Sequence, residues 1–390
     1  MILRNGNIIF PDGIRRGDIA VEAGKIVDIG EDLPGEGIDA AGLYIAPGFV
    51  DIHSHGGGGA DFMDDDPAAF EAALRFHAGS GTTSMLPTTL TAPVAPILAM
   101  CRRARDFMRS PQAGCARVLG VHAEGPYLSL KNKGAQPEAY LRVPARDGWD
   151  FLLDNRDVIR TVTLSPELDG AAEMTASLTA AGILVCGGHD DGSKPEILPV
   201  IAAGLSHLTH LWCAMSTVQM IDGTRYPGLL EIGLTNDNLT AEVIGDGYHM
   251  PPELLQIVYR CKGAEKMCIV SDCLRAGGMP DDGRLWALGS EGLQQFVVDG
   301  GVGRLPDRTR LAGSIQPLSR MVKNLVHDAG IPLADAVRMA SLTPAEIVGA
   351  ADHIGSIALG KCADLCLFTP ELTVHSVMLD GYFIQNGGLS

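Results

Sequence analysis

The hydrophobic pattern of the chain changes character twice. Over residues 1–48, short alternating runs such as "ILRNGNIIF" and "DIAVEAGKIVDIG" are separated by turn sequences, with Gly24 at a hairpin position. No stretch there has a helical period. From residue 49 to about 354, apolar runs of strand length alternate with helical stretches. Eight candidate strands stand out: "GFVDIH", "TTSMLPT", "ARVLGVHAEG", "IRTVTLSP", "GILVCGGH", "LSHLTHLW", "LTAEVIGDG" and "KMCIVSD". Strands apolar on both faces are what a parallel sheet covered by helices requires. The helices between them carry their own punctuation. "DDPAAFEAALRFHAG" has Asp66 at the N-cap, Pro67 at the first helical position and Gly79 past the end. "SPELDGAAEMTASLTAAG" and "SKPEILPVIAAG" also close on glycine. Beyond residue 354 the β-rich texture returns.

This alternation predicts an α/β fold, a (β/α)8 TIM-type barrel over residues 49–354. Residues 1–48 and 355–390, both β-rich, are expected to build one small β-sandwich domain, since chain ends often lie close together. A doubly wound sheet is the alternative, because strand order cannot be read from spacing. The stretch from Asp281 to Arg310 reads as an insertion carrying a hairpin.

Composition narrows the function. Of 390 residues, 46% are hydrophobic, enough for a large core, and the net charge is -17. No Lys/Arg-rich stretch offers a nucleic-acid footprint. An acidic chain needs a local positive pocket to hold an anionic substrate. Nine cysteines, an odd number with no C-x-x-C pair, fit a reducing compartment. No apolar run reaches the roughly 18 residues of a membrane span, and "MILRNGNIIF" lacks a signal-peptide pattern. The expectation is a cytoplasmic protein with neither nucleic acid nor membrane as partner.

In a barrel, chemistry gathers at the C-terminal strand ends. There the candidate strands place His53 and His55, then Glu124, His189, His210 and Asp272, with His249 just beyond the seventh. His53 and His55, two apart on a strand, share a face. Imidazoles with a carboxylate are natural ligands for zinc or iron. Asp272, after four apolar residues, is placed to shuttle a proton. His77, His327 and His375 read as structural. His122 is left without a role, and His207 is expected to pack or cap.

Together these residues resemble the amidohydrolase superfamily, and within it the N-acetylglucosamine-6-phosphate deacetylase family. The resemblance rests on "GFVDIHSH", "HAEGPYLSLKNKGAQ", "GGHDDGS", "LSHLTHLWCAM", "TRYPG", "VIGDGYHM", "IVSDCLRAGG" and "LAGS", in that order along essentially the whole chain. It implies a divalent metal on Glu124, His189 and His210. A second would lie on His53 and His55 with Glu124 bridging. Zinc is the expected metal, with iron or manganese as alternatives. Such a metal lowers the pKa of bound water toward ~7. Asp272 would take the water's proton and pass it to the departing amine, giving acetate and an amino-sugar phosphate. Arg225, His249 and the backbone N–H groups of Cys213 and Ala214 would hold phosphate. Arg225 and His249 would come from a neighbouring subunit, implying a homodimer. Ala135 and Gln136 would stand near the acetamide, and Leu311, Ala312 and Gly313 would line the sugar.

The chain departs from that pattern at three places. Cys213 replaces an asparagine, the spacer before Arg225 is longer, and Gln136 replaces a histidine that assists at the carbonyl. Gln136 can donate a hydrogen bond but cannot be cationic. The departures leave open the galacto epimer, or an unphosphorylated acyl-amine, as substrate. A non-catalytic binding barrel would be expected to have lost metal ligands, and all five are present.

Overall fold

The computed structural model of the protein describes residues 1–289, 292–385 and 387–389. Ser290 and Glu291 of the expected insertion, and Asn386 and Ser390 of the C-terminal end, lie outside the described residues.

Each of the eight apolar runs contains a strand: Phe49–Ser54, Thr82–Pro87, Val121–Glu124, Ile159–Leu164, Leu184–Gly187, His207–Leu208, Thr240–Ile244 and Met267–Val270. The third to the eighth pair in sequence order, all parallel. The first pairs parallel with the second, and a Thr88–His122 bridge ties the second to the third. At the other seam the Asp272 N–H donates to His53 O at 2.9 Å, and the His55 N–H to Cys273 O at 2.9 Å. The sheet is thus parallel and curled, and the end of its eighth strand meets the end of its first. The first two strands are buried at every position, as runs apolar on both faces demand.

The covering helices obey the local signals with small shifts. Asp66 accepts the Ala68 N–H, and the helix Pro67–Gly79 runs through Gly79 to end at Ser80. The left-handed residue is Gly81, at φ +96°. Ser193 and Glu196 form a reciprocal cap on Lys194–Ala202.

The two chain ends form one continuous eight-stranded sheet rather than two separate layers. Leu365–Phe368 pairs with Tyr44–Pro47, which pairs with Ile2–Phe10. The far edge strand, Lys25–Gly30, bonds back to the Gly360–Cys362 lead-in, with the Ile26 N–H on Lys361 O at 3.0 Å. The sheet curls around an apolar cluster of its own, including Leu3, Ile8, Ile19, Ile45, Leu365 and Met378.

The insertion is a four-stranded antiparallel sheet, more than the hairpin expected: Leu285–Leu288, Gln294–Asp299, Val302–Arg304 and Leu311–Gly313. Its last strand continues into Ser314, which exchanges backbone hydrogen bonds with Asp272 and Leu274. That pairing carries Leu311–Gly313 over the strand ends.

Candidate metal centre and active site

Three of the residues expected to hold metal or move a proton sit in an uncommon backbone conformation. His189 (φ +50°), His210 (φ +27°) and Asp272 (φ +42°) are all left-handed, at or just past the ends of strands five, six and eight. Each such residue costs roughly 1–2 kcal/mol relative to ordinary backbone. The conformation turns each chain off its strand and leaves the side chain among the others. His53 and His55 arrive by a simpler route, as alternate residues at the end of the first strand.

The side chains converge on Glu124. Its Oε1 lies 3.1 Å from His189 Nε2, 3.0 Å from His210 Nε2 and 3.5 Å from His53 Nε2. Its Oε2 lies 3.3 Å from His55 Nε2. Tautomers decide what this means. His189 Nδ1 is 2.8 Å from the Asn132 carbonyl oxygen, which can only accept, so Nδ1 carries the proton. In neutral His189 the Nε2 lone pair then faces a carboxylate oxygen and, at 3.1 Å, His210 Nε2. His53 repeats the pattern: Nδ1 is 2.9 Å from Glu242 Oε2, and the buried Nε2 has no hydrogen-bond partner. Lone pairs converging on one point repel unless a cation lies between them. Two overlapping groups, His53/His55/Glu124 and Glu124/His189/His210, have ligand atoms within 4.8 Å of one another. The donor set fits one or two divalent metals.

Electrostatics agree. Burial pushes Glu124 up, but His53, His189 and His210 overcome it and hold its carboxyl well below the usual range. Burial pushes His53 down, and Glu124 and Glu242 raise it well above the ordinary imidazole value. For His55, Asp272 and Glu124 outweigh burial and raise it to about 9. The pocket's carboxylates call for positive charge. Asp272 is raised by burial but lowered overall, by the His55 hydrogen bond and by His53. Its Oδ1 is 3.2 Å from His55 Nε2 and 3.7 Å from His53 Nε2.

These groups open into a cavity of about 420 Å3. Ala135, Cys213, Ala214, Leu311, Ala312 and Gly313 line it. His249 lines the pocket of its own chain rather than reaching in from a neighbour, with Nδ1 held 2.8 Å from Asp246 Oδ2. Cys213 does not offer its N–H to a ligand, for it donates to His210 O at 2.9 Å. Gln136 is committed as well: its Oε1 accepts from Thr91 N at 2.7 Å, and its Nε2 donates to Glu124 Oε2 at 2.7 Å. Arg225 is not among the pocket residues. It sits exposed on a hairpin, Gln219–Ile221 and Thr224–Tyr226, beside exposed Val218 and Met220.

The sequence reading missed three contributors. Glu242, in the middle of strand seven, is buried beneath the histidines; an acidic residue inside "LTAEVI" was its signal. Trp212 lines the cavity from a left-handed position at φ +81°. Arg310 is the single Arg or Lys among the lining residues, and its guanidinium has no hydrogen bond or ion pair among the described residues. The glycines after "HSH" serve the backbone rather than a metal. Gly56–Gly57 and Ala60–Asp61 form a tiny hairpin turned by Gly58 (φ +62°) and Gly59 (φ +89°). A Cβ on Gly57 would lie 2.3 Å from the Phe76 ring.

Comparison with known proteins agrees with this geometry. The model of the amidohydrolase family matches residues 44–384. An N-acetylglucosamine-6-phosphate deacetylase of Vibrio furnissii is 33% identical over 350 residues, 89% of this chain and 84% of that protein. An N-acetylgalactosamine-6-phosphate deacetylase of Escherichia coli O157:H7 is 32% identical over 352 residues, 90% of each. The crystal structure of N-acetylglucosamine-6-phosphate deacetylase from Pasteurella multocida superposes with a TM-score of 0.91 at 30% identity, covering 99% of both chains. The chain belongs to the amidohydrolase family of hydrolytic enzymes.

Proposed function

We propose that the protein hydrolyses the acetamide of N-acetyl-D-glucosamine 6-phosphate to glucosamine 6-phosphate and acetate. The observation that carries the reading is the convergence of the His189, His210 and Glu124 ligand atoms beside Asp272 in one cavity. The scaffold is a (β/α)8 barrel over residues 49–354, with a small β domain from residues 1–48 and 355–390.

Glu124, His189 and His210 would hold one divalent metal, zinc by preference for this ligand set. His53 and His55 would hold a second, sharing Glu124. When bound, the metal polarises the acetamide carbonyl and acidifies the attacking water. Asp272 accepts a proton from that water, as its ionised state at neutral pH allows. It then gives the proton to the amide nitrogen as the C–N bond breaks, since an amine anion is a very poor leaving group. Water's oxygen ends on acetate, and both its protons end on the amine, which is released as ammonium. Leu311–Gly313 close over the sugar. His249 and Arg310 face the anionic end, and Arg225 reaches it from the second copy of a homodimer, for which exposed Val218 and Met220 supply apolar contact.

The galacto epimer is the second reading of the substrate. It is favoured by the near-equal likeness to the two relatives. N-acetylglucosamine, N-acetylgalactosamine and their 6-phosphates, assayed for free amine with zinc, iron and manganese, separate these cases. The expected order is phosphorylated far above free sugar, with the gluco form preferred. Equal rates on phosphorylated and free sugars would remove the phosphate from the reading.

A further inference from the structure

Glu242 is buried beneath the metal-ligand cluster, where its carboxylate, His53 and His122 bring ligand atoms within 4.8 Å of one another. It is 1% exposed and stands mid-strand in Thr240–Ile244, below the cavity. No arginine or lysine pairs with it among the described residues. Its partners come from the ligand set and its support. Oε2 accepts from His53 Nδ1 at 2.9 Å and from the His210 backbone N–H at 3.1 Å. Oε1 accepts from His207 Nε2 at 3.3 Å, and His207 Nδ1 is anchored 2.6 Å from Thr240 Oγ1. Leaving a charged group in that position is costly unless it acts on its neighbours.

Two consequences follow from the geometry. A carboxylate on Nδ1 fixes the His53 tautomer, so the lone pair sits on Nε2, the atom facing Glu124 and Asp272. The same contact makes the imidazole a stronger donor, as carboxylate–histidine–metal arrangements do generally. His55 has no such support, since its Nδ1 is buried without a partner. The half of the site built on His53 and His55 therefore draws its basicity from Glu242. In the half built on Glu124, His189 and His210, Asn132 O fixes the His189 ring, and Glu242 touches only the His210 backbone N–H.

We infer that Glu242 is a positioning residue that sets occupancy of the second metal position, through the tautomer and charge it imposes on His53. The inference rests on the metal-dependent reading above. Glu242→Gln is close to a pure test of charge. The amide oxygen can keep the His53 and His210 contacts, while the amide N–H2 turns to His207, whose tautomer exchanges through Thr240.

Zinc is titrated into chelator-stripped protein in a metal buffer, with bound zinc counted by elemental analysis and folding followed by circular dichroism. Wild type is expected to take two zinc ions. E242Q is expected to take the first with unchanged affinity and the second 10–100-fold more weakly. Glu242→Asp, which keeps the charge but draws it back from Nδ1, shifts the second zinc in the same direction by less, and serves if E242Q does not fold. Unchanged affinity for both zinc ions in the variants, equal weakening of both, or a wild type that takes only one would overturn the inference. A wild type that binds no zinc, iron or manganese would instead remove the metal-dependent reading itself.

Discussion

Gln136 donates its side-chain amide to Glu124 Oε2 at 2.7 Å, while its own carbonyl oxygen is held by the Thr91 N–H at 2.7 Å. The Thr91 contact fixes which end of the amide faces Glu124, so Gln136 orients the carboxylate that His189, His210, His53 and His55 all approach. The residue that departs from the family pattern thus acts on the carboxylate proposed to hold the metal. Gln136→Leu, similar in size but without the donor, is expected to weaken metal affinity about 10–100-fold. Chelator competition reads this directly. An unchanged affinity would mean that Glu124 is held by the histidines alone.

Asp272→Asn keeps the size and the φ +42° backbone but loses the proton acceptor. Turnover is expected to fall by about 10²–10⁴-fold with bound metal unchanged. Parallel loss of metal would instead mark Asp272 as a ligand.

Arg310 is the lone Arg or Lys in the cavity wall among the described residues. Arg310→Met is expected to raise KM for the 6-phosphate about tenfold or more, the loss of one charged hydrogen bond. The KM for the unphosphorylated sugar should stay unchanged. Arg225→Met should do the same only if the hairpin reaches a partner's pocket, so weakening in that variant should accompany a dimer in solution.

His77 gives the fold an acid sensitivity of its own, beneath the strand end that carries His55. Its Nε2–H donates to Gly56 O at 2.9 Å, Nδ1 is buried without a partner, and burial lowers its pKa to about 4. The folded protein keeps His77 neutral, whereas the unfolded chain protonates near pH 6.5. Stability from this group is full above pH 6.5 and falls as pH drops toward 4, by up to roughly 3 kcal/mol. Thermal melts of wild type and His77→Gln across that window should converge as pH falls. A constant gap between the two would contradict the assignment.

The strand ends were legible because each apolar run stops at a site residue: "GFVDIH" at His53, "GILVCGGH" at His189, "KMCIVSD" at Asp272. A pattern of burial reports where a strand ends, and in a parallel sheet the ends are where side chains meet. Hydrogen-bond partners were not legible. Nothing in "KNKGAQ" tells that Gln136 turns back to Glu124, and the acidic residue in "LTAEVI" did not tell which histidines Glu242 meets. The left-handed φ at His189, His210 and Asp272 had no signal either, since non-glycine residues adopt it only when the surrounding fold compels it. The glycines after His55 were visible, but the need for two of them depended on the Phe76 side chain of the next helix packing against Gly57 and Gly58.

A cavity that deacetylates an amino-sugar phosphate with a bound metal must depend on that metal for turnover. The most direct test is acetate release from N-acetyl-D-glucosamine 6-phosphate by zinc-loaded protein, measured before chelation, after chelation and after zinc is restored. Steady turnover is expected, stopping on chelation and returning with the metal. Turnover that persists in the stripped protein, or no acetate under any metal loading, would contradict it.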